Sequence, residues 1–370
     1  MRAGARFGGL VSEIVKTPRV IESHFGESTP FSIGVEEELM VLDAETLLLA
    51  PRAAELIAAA EGLGLPGRLK VELFASALEL NTEICASPAE AEEALRELRA
   101  GAVRLAEERG LRVAAAGSHP ISRPEDEAIA DESRYEEFVA YAGVSARRQG
   151  VSGLHVHVGM PSAEACFHAL EGVLPWLPVV LALSANSPYL AGEETGMQSN
   201  RAEVLAQLPR SGAPPAFASY KDWEAFVDYF ARLGIGADYT RFWWDIRPHP
   251  TFGTLEIRMP DQPTSLAVTV GITAILQELC RRALEQPHPE HDPAARGYYQ
   301  QNRWAAARFG LSAELFHPDG GKTASASELA AGLAGGRLDT SRTEADRQLE
   351  VGRANGLEAV CADLVERTLG

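Results

Sequence analysis

Carboxylate, imidazole and guanidinium side chains alternate with apolar side chains in four separate segments of this sequence. The segments are residues 31–42 (FSIGVEEELMVL), 71–84 (VELFASALELNTEI), 153–160 (GLHVHVGM) and 254–261 (TLEIRMPD). Because successive side chains of a β-strand point to opposite faces, each segment predicts a strand with one apolar face and one face of metal-ligand type. In the first strand Glu37 departs from this pattern, since it falls on the apolar face.

The predicted polar faces carry enough carboxylates to require a counter-charge. These are Glu36, Glu38, Glu72, Glu79, Glu83 and Glu256. Burying carboxylates without partners costs several kcal/mol each, and divalent cations remove that conflict. Oxygen ligands with an occasional imidazole suit Mg²⁺ or Mn²⁺ better than structural zinc. For Glu83, at the end of its strand, solvent exposure is an equally good reading.

Hard cations held by carboxylates indicate phosphate chemistry, because the metal neutralises charge on phosphate oxygens. Arg258 lies two residues from Glu256 on the same predicted strand face, and Arg247 lies on the preceding strand. Both guanidinium groups are predicted to stabilise a phosphoryl group during its transfer. The sequence contains neither a GxxxxGK[ST] phosphate-binding loop nor a Rossmann fingerprint, which argues against a P-loop enzyme and against NAD.

The elements that position these side chains are predicted from hydrophobic periodicity and turn residues. A hairpin is predicted across residues 250–253, between FWWDIRPH and TLEIRMPD, and a short strand at residues 111–116. Helices are predicted at residues 53–60, 88–110, 163–185, 222–233, 265–284, 298–309, 326–333 and 342–369. Because the strands come in hairpin-like pairs, the predicted fold class is α+β, with a mostly antiparallel sheet whose outer face is covered by helices.

Composition limits the classes of partner. The 370 residues carry a formal net charge of −18, which argues against a nucleic-acid or anionic-membrane surface. The four cysteines are scattered without a C-x-x-C pair, which predicts reduced thiols in a cytoplasmic protein. The apolar stretch at residues 173–183 is too short and too interrupted by proline to predict a membrane span. The sequence leaves open whether the protein forms a homo-oligomer.

Several of these motifs, in this order, carry a family resemblance. They are GVEEEL (34–39), ELFASALELNTEI (72–84), GLHVHVG (153–159), NSPYLAGEETGMQSNR (186–201), WWDIRP (243–248), TLEIRMPD (254–261) and NRWAAARFGL (302–311). The set resembles the carboxylate–amine ligases of the glutamate–cysteine ligase type 2 family, within the wider glutamine synthetase superfamily. A single E-x-E strand is weak support, whereas the ordered set is strong.

The resemblance implies a glutamine synthetase-like catalytic fold over residues 31–370, preceded by an N-terminal arm at residues 1–30. It implies ATP at the mouth of a funnel, with Mg²⁺ or Mn²⁺ between the nucleotide and an amino acid. The matching metal-ligand positions are Glu36, Glu38, Glu72, Glu79, His155 and Glu256, and the matching phosphate-binding position is Arg258. Further candidates are Arg247 for catalysis, His157 and Trp244 for the nucleotide, and Asn200 and Arg201 for the substrate.

The predicted reaction is amide-bond formation driven by ATP. A carboxylate is a poor electrophile, whereas its acyl phosphate can be attacked by an amine. The resemblance implies L-glutamate as the acid and L-cysteine or another amine as the acceptor. Two alternatives are kept: a phosphagen-type kinase of the same superfold, and a non-catalytic regulator that binds metal or nucleotide.

Overall fold

The computed structural model of the protein describes residues 21–235, 238–289 and 292–369. The strands in these residues are β1 (Ile33–Asp43), β2 (Gly67–Val71), β3 (Ala77–Thr82), β4 (Leu111–Ala114), β5 (Leu154–Gly159), β6 (Tyr189–Leu190), β7 (Glu193–Glu194), β8 (Ile246–His249), β9 (Thr254–Ile257), β10 (Glu314–Phe316) and β11 (Thr323–Ser325). Seven of them form the main sheet, with antiparallel pairings throughout, while β6–β7 and β10–β11 are small separate pairs.

The main sheet runs in the order β2-β3-β1-β5-β9-β8, and β4 pairs with the C-terminal part of β1. The register pairs Glu38 with Glu79, Glu36 with His155, His157 with Glu256, and Glu256 with Arg247. Directly opposed residues have Cβ atoms roughly 4.5–5.5 Å apart. The antiparallel register therefore gathers the predicted polar faces on one side of the sheet.

The other face of the sheet is covered by helices. The helices in the described residues are α1 (Ala53–Ala60), α2 (Pro88–Glu107), α3 (Ser133–Ala142), α4 (Val144–Arg147), α5 (Ala163–Val173), α6 (Leu177–Ser184), α7 (Asn200–Leu205), α8 (Tyr220–Arg232), α9 (Leu266–Glu285), α10 (Ala295–Phe309), α11 (Ala326–Ala334), α12 (Glu344–Asn355) and α13 (Leu357–Arg367). Helices α1, α2, α5 and α9 pack on the sheet, where Leu95 and Leu98 of α2 are fully buried. The predicted α+β class, with helices covering one face of an antiparallel sheet, is confirmed.

Glu37, the charged residue on the apolar face of β1, is paired with Arg99 of α2. Arg99 donates from Nε and Nη2 to the two carboxylate oxygens of Glu37 at 2.7 and 2.6 Å, and both side chains are buried. Although burial opposes ionisation, the Arg99 guanidinium holds the pKa of Glu37 below its usual value. Arg99 also donates to the backbone oxygens of Thr264 and Thr368. One buried ion pair thus joins the sheet, α2 and the residue that follows α13.

The structure interrupts two helices that the apolar pattern predicts as continuous. The segment at 342–369 divides into α12 and α13 at Gly356, whose φ is +86°. The segment at 163–185 divides at a 3₁₀ turn, Leu174–Trp176, which contains Pro175. Proline lacks a backbone donor, and glycine readily adopts positive φ, so both residues favour an interruption. Helices α3 and α4 and the β10–β11 pair have no counterpart in the sequence prediction.

Among the described residues, one helical stretch, Ala163–Ser184, has the length and hydropathy of a membrane span. It comprises α5, the 3₁₀ turn and α6, and 72% of its most apolar window is buried inside the fold. Core helices of soluble proteins meet the same criteria, so the stretch is weak grounds for a span.

Residues 1–20, most of the predicted N-terminal arm, lie outside the described residues. Residues 21–30 lie against the sheet: His24 N–H donates to Pro250 O, and Gly26 N–H donates to Met160 O. This approach depends on Gly253, which has a φ of +64° and whose Cβ, if present, would lie 2.4 Å from His24 O.

Candidate active site

Glu36 of β1 lies on the polar face of the sheet, beside two histidines of β5. His155 Nδ1 is 3.2 Å from Glu36 Oε2, and His157 Nε2 is 3.7 Å from Glu36 Oε1. Asn81 of β3 donates from Nδ2 to Glu36 Oε1 at 2.8 Å. Although burial opposes ionisation, the adjacent imidazoles of His155 and His157 hold the pKa of Glu36 well below its usual value. Glu36 is therefore ionised at neutral pH.

Three further carboxylates converge next to this group. One oxygen each of Glu38, Glu72 and Glu79 lies within 4.8 Å of the other two. Burial and the charge of Glu38 raise the pKa of Glu72 to about 7. Burial, together with the charges of Glu36 and Glu72, raises the pKa of Glu79 well above its usual value. Three carboxylates this close together repel one another unless a positive counter-ion is present. A bound cation would remove that repulsion, so the cluster is a candidate cation site.

Glu256 of β9 is paired with two arginines. Arg247 donates from Nε to Glu256 Oε2 at 2.5 Å and from Nη2 to Oε1 at 3.1 Å, and Arg258 donates from Nη1 to Oε1 at 2.5 Å. Although burial opposes ionisation, Arg247 and Arg258 hold the pKa of Glu256 well below its usual value. Both oxygens of Glu256 thus accept hydrogen bonds from guanidinium groups, so a metal-ligand role for Glu256 would compete with Arg247 and Arg258.

Two buried imidazole nitrogens on this face, His155 Nε2 and His157 Nε2, lack a hydrogen-bond partner. His155 Nε2 lies 3.6 Å from Glu38 Oε1. Burial and the nearby Arg258 charge lower the pKa of His155, which favours its neutral form. Neutral imidazole is the form that ligates metals. The donor set formed by Glu36, Glu38, Glu72, Glu79 and His155 therefore fits a hard divalent cation such as Mg²⁺ or Mn²⁺.

Two cavities reach this group of carboxylates and histidines from different sides. The first cavity, about 600 Å³, is lined by Glu36 and His157 and by the cation Lys70. Ile84 and Phe252 also line it and are 73% and 54% exposed. The cavity combines apolar side chains with the exposed cations Arg68 and Lys70, which suits a ligand with one apolar and one anionic part.

The second cavity, about 390 Å³, is lined by Glu38, Glu72, His155 and Arg258. Further arginines line the same chamber: Arg134, Arg201, Arg241 and Arg247. Because guanidinium groups bind carboxylates and phosphates with two parallel hydrogen bonds, this chamber suits an anionic substrate.

Arg201 lines the second cavity and is 3% exposed. It donates from Nη1 to Met259 O and from Nη2 to Arg258 O, while its Nε has no partner. A Cβ at position 153 would lie 2.0 Å from Arg201 Nη2, so Gly153 leaves the space that the guanidinium fills. Asn200, the first residue of α7, lines neither cavity.

Trp244 lies away from both cavities, contrary to the predicted nucleotide contact. It is 3% exposed, and its ring packs against Phe242 at a centroid distance of 4.7 Å. The alternation of strand side chains supplies the reason: Trp244 shares its side of the chain with the buried Ile246, whereas Trp243 and Arg247 both line the second cavity. Trp244 is therefore not retained in the nucleotide site.

Several residues of the site were not found from the sequence. Asn81 alternates with Glu79 on β3, so period-two alternation could have found it. Lys70 of β2 lies opposite Glu79 in the register, with its Nζ 3.6 Å from Glu79 Oε1. Glu72, predicted on a continuous strand over residues 71–84, lies instead in the loop between β2 and β3. Gln262 gives no such signal, because it follows β9 in a loop and yet accepts a hydrogen bond from Glu38 N–H. The side-chain amide nitrogen of Gln262, Nε2, donates to Glu37 Oε1 at 2.9 Å.

The sequence pattern of glutamate–cysteine ligase family 2 (GCS2) matches residues 32–358. The chain belongs to this family. Members of GCS2 to which the chain is similar include two proteins of Rubrobacter xylanophilus. The one named "Putative glutamate--cysteine ligase 2-3" is 40% identical over 367 residues, covering 94% of this chain and 100% of the relative. The one named "Putative glutamate--cysteine ligase 2-1" is 38% identical over 310 residues, covering 84% and 82%.

Solved structures share the fold of this family member. A glutamate–cysteine ligase from Francisella tularensis in complex with AMP has a TM-score of 0.68 at 16% identity, covering 92% of this chain and 89% of that one. A bifunctional glutathione synthetase from Pasteurella multocida has a TM-score of 0.69 at 16% identity, covering 92% and 52%. The predicted family and glutamine synthetase-like fold are confirmed, and the protein is an ATP-dependent carbon–nitrogen ligase.

Proposed function

We propose that the protein activates the γ-carboxylate of L-glutamate as an acyl phosphate and transfers the γ-glutamyl group to an amine, L-cysteine being the first candidate. The observation that carries this proposal is the convergence of Glu38, Glu72 and Glu79 within 4.8 Å, where Glu38 and Glu72 line the second cavity and the neighbouring Glu36 lines the first. Such a cluster suits divalent cations, and two cavities that reach neighbouring carboxylates allow two reactants to meet there.

ATP is assigned to the first cavity. Ile84 and Phe252 offer apolar surface to the base, and Lys70 and Arg68 offer positive charge to the phosphates. His157 lies at the inner end, where its Nδ1 lies 2.9 Å from Thr254 Oγ1 and its Nε2 is unpartnered. Phe252 replaces Trp244 as the aromatic side chain proposed for the nucleotide, because its ring is exposed at this cavity.

Mg²⁺ or Mn²⁺ would be held by Glu36, Glu38, Glu72, Glu79 and His155. When bound there, the cation would neutralise charge on phosphate oxygens and on the carboxylates that hold it. Glu256 joins this set in the proposal only in competition with Arg247 and Arg258. The remaining chemistry is carried by residues of the chain and by the substrates.

L-glutamate is assigned to the second cavity, with Arg201 and Arg241 as partners for its α-carboxylate. Its γ-carboxylate oxygen attacks the terminal phosphorus of ATP, the P–O bond to ADP breaks, and γ-glutamyl phosphate results. Arg258, which lines this cavity and lies 3.4 Å from His155 Nδ1, stabilises the phosphoryl group during transfer. Arg247 holds Glu256 and so fixes the position of the Glu256–Arg258 pair.

Isotope transfer tests the proposal. With ¹⁸O in the γ-carboxylate of glutamate, one ¹⁸O should appear in the released phosphate, because that oxygen is phosphorylated and then expelled. Phosphate release should require glutamate, rise when the amine is added, and match amide formation one to one. Product formation without ¹⁸O transfer would contradict the acyl phosphate. A stable phosphorylated product would instead favour the kinase alternative.

A further inference from the structure

The second cavity has an apolar wall that the transfer of a phosphoryl group does not require. The wall is formed by Leu73, Tyr135, Phe138, Leu205, Leu208 and Trp243. These residues belong to an apolar cluster distinct from the two large clusters that pack between the sheet and its helices. The same cavity contains Glu38 and Arg258, so whatever contacts the apolar wall also lies beside the reacting groups.

The aromatic side chains of this wall present their rings to the cavity. Tyr135 and Phe138 are three residues apart on α3, so they share one face of that helix. The hydroxyl of Tyr135 donates to Val71 O at 3.0 Å, so its polar end is already engaged. The rings of Phe138 and Trp243 have a centroid distance of 5.0 Å and an interplanar angle of 37°. A further ring can join such a pair in an offset or edge-on arrangement.

In place of L-cysteine, the acceptor that the family name suggests, we propose that the amine acceptor of this ligase carries an aromatic side chain that packs on Phe138 and Trp243. This inference rests on the proposed function, because it assumes that γ-glutamyl phosphate forms in the same cavity. Leu205 and Trp243 are the less buried members of the wall, and the side chain of cysteine, with one carbon and one sulfur, covers less of them than an aromatic ring does. An aromatic amino acid also finds a guanidinium partner for its carboxylate in Arg134, which lines the same cavity.

The transfer step balances as follows for such an acceptor. The amine first loses to water the proton that it carries at neutral pH. The neutral nitrogen then attacks the acyl carbon of γ-glutamyl phosphate, a C–N bond forms, and the C–O bond to the phosphate breaks. The nitrogen loses a second proton to the leaving phosphate, so the products are the amide and hydrogen phosphate.

Hydroxylamine separates the acceptor proposal from the proposed function, because it traps an acyl phosphate without having a side chain. The full chain with ATP, Mg²⁺ and L-glutamate should form γ-glutamyl hydroxamate. For the better of L-phenylalanine and phenethylamine, kcat/KM should exceed that of L-cysteine and of glycine by about tenfold or more. Hydroxamate formation with cysteine or glycine as the better acceptor would overturn the aromatic acceptor alone. Failure to form hydroxamate would overturn the proposed function and the acceptor proposal with it.

Variants of the apolar wall provide a second test. Phe138→Leu and Trp243→Leu should lower the ratio of kcat/KM for the aromatic acceptor to that for hydroxylamine by roughly tenfold, mainly through KM. Phe309→Leu, at the exposed end of α10, is the matched control and should leave the ratio unchanged. Phe138 is buried, so thermal unfolding is measured in parallel, and the less buried Trp243 serves if Phe138→Leu does not fold. An unchanged ratio in the folded wall variants would overturn the proposal.

Discussion

Glu38 connects the two groups of carboxylates on the polar face. Its Oε1 lies 3.6 Å from His155 Nε2, and its Oε2 accepts a hydrogen bond from Gly153 N–H. It also belongs to the cluster with Glu72 and Glu79. Because Glu38 contacts both groups, a change of this one carboxylate should affect the whole proposed set of metal ligands.

Glu38→Gln should abolish ATP turnover and weaken Mn²⁺ binding, measured by electron paramagnetic resonance, by about tenfold or more. The glutamine keeps the size of the side chain and removes one charge from a repulsive group, so the thermal unfolding midpoint of the metal-free protein should not fall. Glu61→Gln is the matched control, because Glu61 is exposed and lines neither cavity. Normal turnover of Glu38→Gln at saturating Mg²⁺ would contradict the assignment.

Arg258→Lys keeps a positive charge and loses the planar fork that contacts Glu256. We expect kcat to fall by roughly 10²-fold, with a modest change in the dissociation constant of ATP, because the interaction is strongest in the transition state. Single-turnover kinetics and nucleotide titration measure the two quantities. Arg123→Lys, in an exposed ion pair with Asp126, is the control. Lost ATP binding with unchanged kcat would make Arg258 a ground-state contact.

The raised pKa of Glu72 predicts that the free energy of unfolding of the metal-free protein depends on pH. That pKa is raised to about 7 from a usual value of 4.5. Below pH 4.5 the folded and unfolded chains are both protonated at this group. Between 4.5 and 7 the unfolded chain ionises first, so stability falls as pH rises, by about 3 kcal/mol at 1.36 kcal/mol per unit, and levels off above 7.

Urea unfolding in the presence of a chelator, at several pH values, measures this effect. Glu72→Gln should reduce the slope between pH 4.5 and 7 to the part contributed by Glu79, whose pKa is also raised, and Glu83→Gln should retain the full slope. Saturating Mg²⁺ should reverse the slope, because the cation binds the ionised carboxylates. Parallel profiles for the wild type and Glu72→Gln would show that Glu72 is not the titrating group.

At the scale of elements, β1 and α2 are joined through a charge pair that has no access to solvent. Arg99→Met leaves Glu37 buried without its cation and should destabilise the protein by about 3–5 kcal/mol in chemical unfolding. The double variant Glu37→Leu with Arg99→Met should recover most of that loss, because an apolar pair of similar size can replace a buried ion pair. Equal destabilisation of the single and double variants would show that packing, not charge, dominates at this contact.

For most site residues the sequence predicted the strand or helix in which they lie. It predicted only some of the residues that contact them across the fold. Alternation assigned Glu36 and Glu38 to one face and Glu37 to the other, because the period of a strand is local. It could not supply Arg99, which is 62 residues from Glu37 in the chain, or Gln262. These contacts depend on how α2 and the loop after β9 pack, and neither has a periodic signal.

Thr368, the residue that follows α13, joins three segments that are distant in the sequence. Thr368 is fully buried, its Oγ1 accepts from Ala115 N–H at 2.9 Å and donates to Leu364 O at 2.7 Å, and its carbonyl accepts from Arg99. This residue therefore fixes α13 to β4 and to α2. The two cavities likewise depend on distant segments, since residues 21–30 border one and α3 borders the other, which local sequence patterns could not foresee.

Thr368→Val keeps the shape of the side chain and removes its hydroxyl, so Ala115 N–H loses its acceptor in a buried position. We expect a loss of about 1–3 kcal/mol in the free energy of unfolding, measured with urea. Thr323→Val, at an exposed position of β11, should change stability little. If α13 merely frayed, hydrogen exchange would increase in α13 alone and the global unfolding midpoint would not change.

The adjacent positions of Glu37 and Glu38 restrict how the gene can change in length. In β1, Glu37 forms a buried ion pair with Arg99, whereas Glu38, the next residue, lines the second cavity. A single codon inserted or deleted within β1 would move every following residue of the strand to the opposite face of the sheet. A proposed metal ligand would then lie in the core, and the carboxylate that pairs with Arg99 would lie in the chamber. Length variation among descendants of this gene is therefore expected in the exposed turn at residues 61–64 and not within residues 33–43.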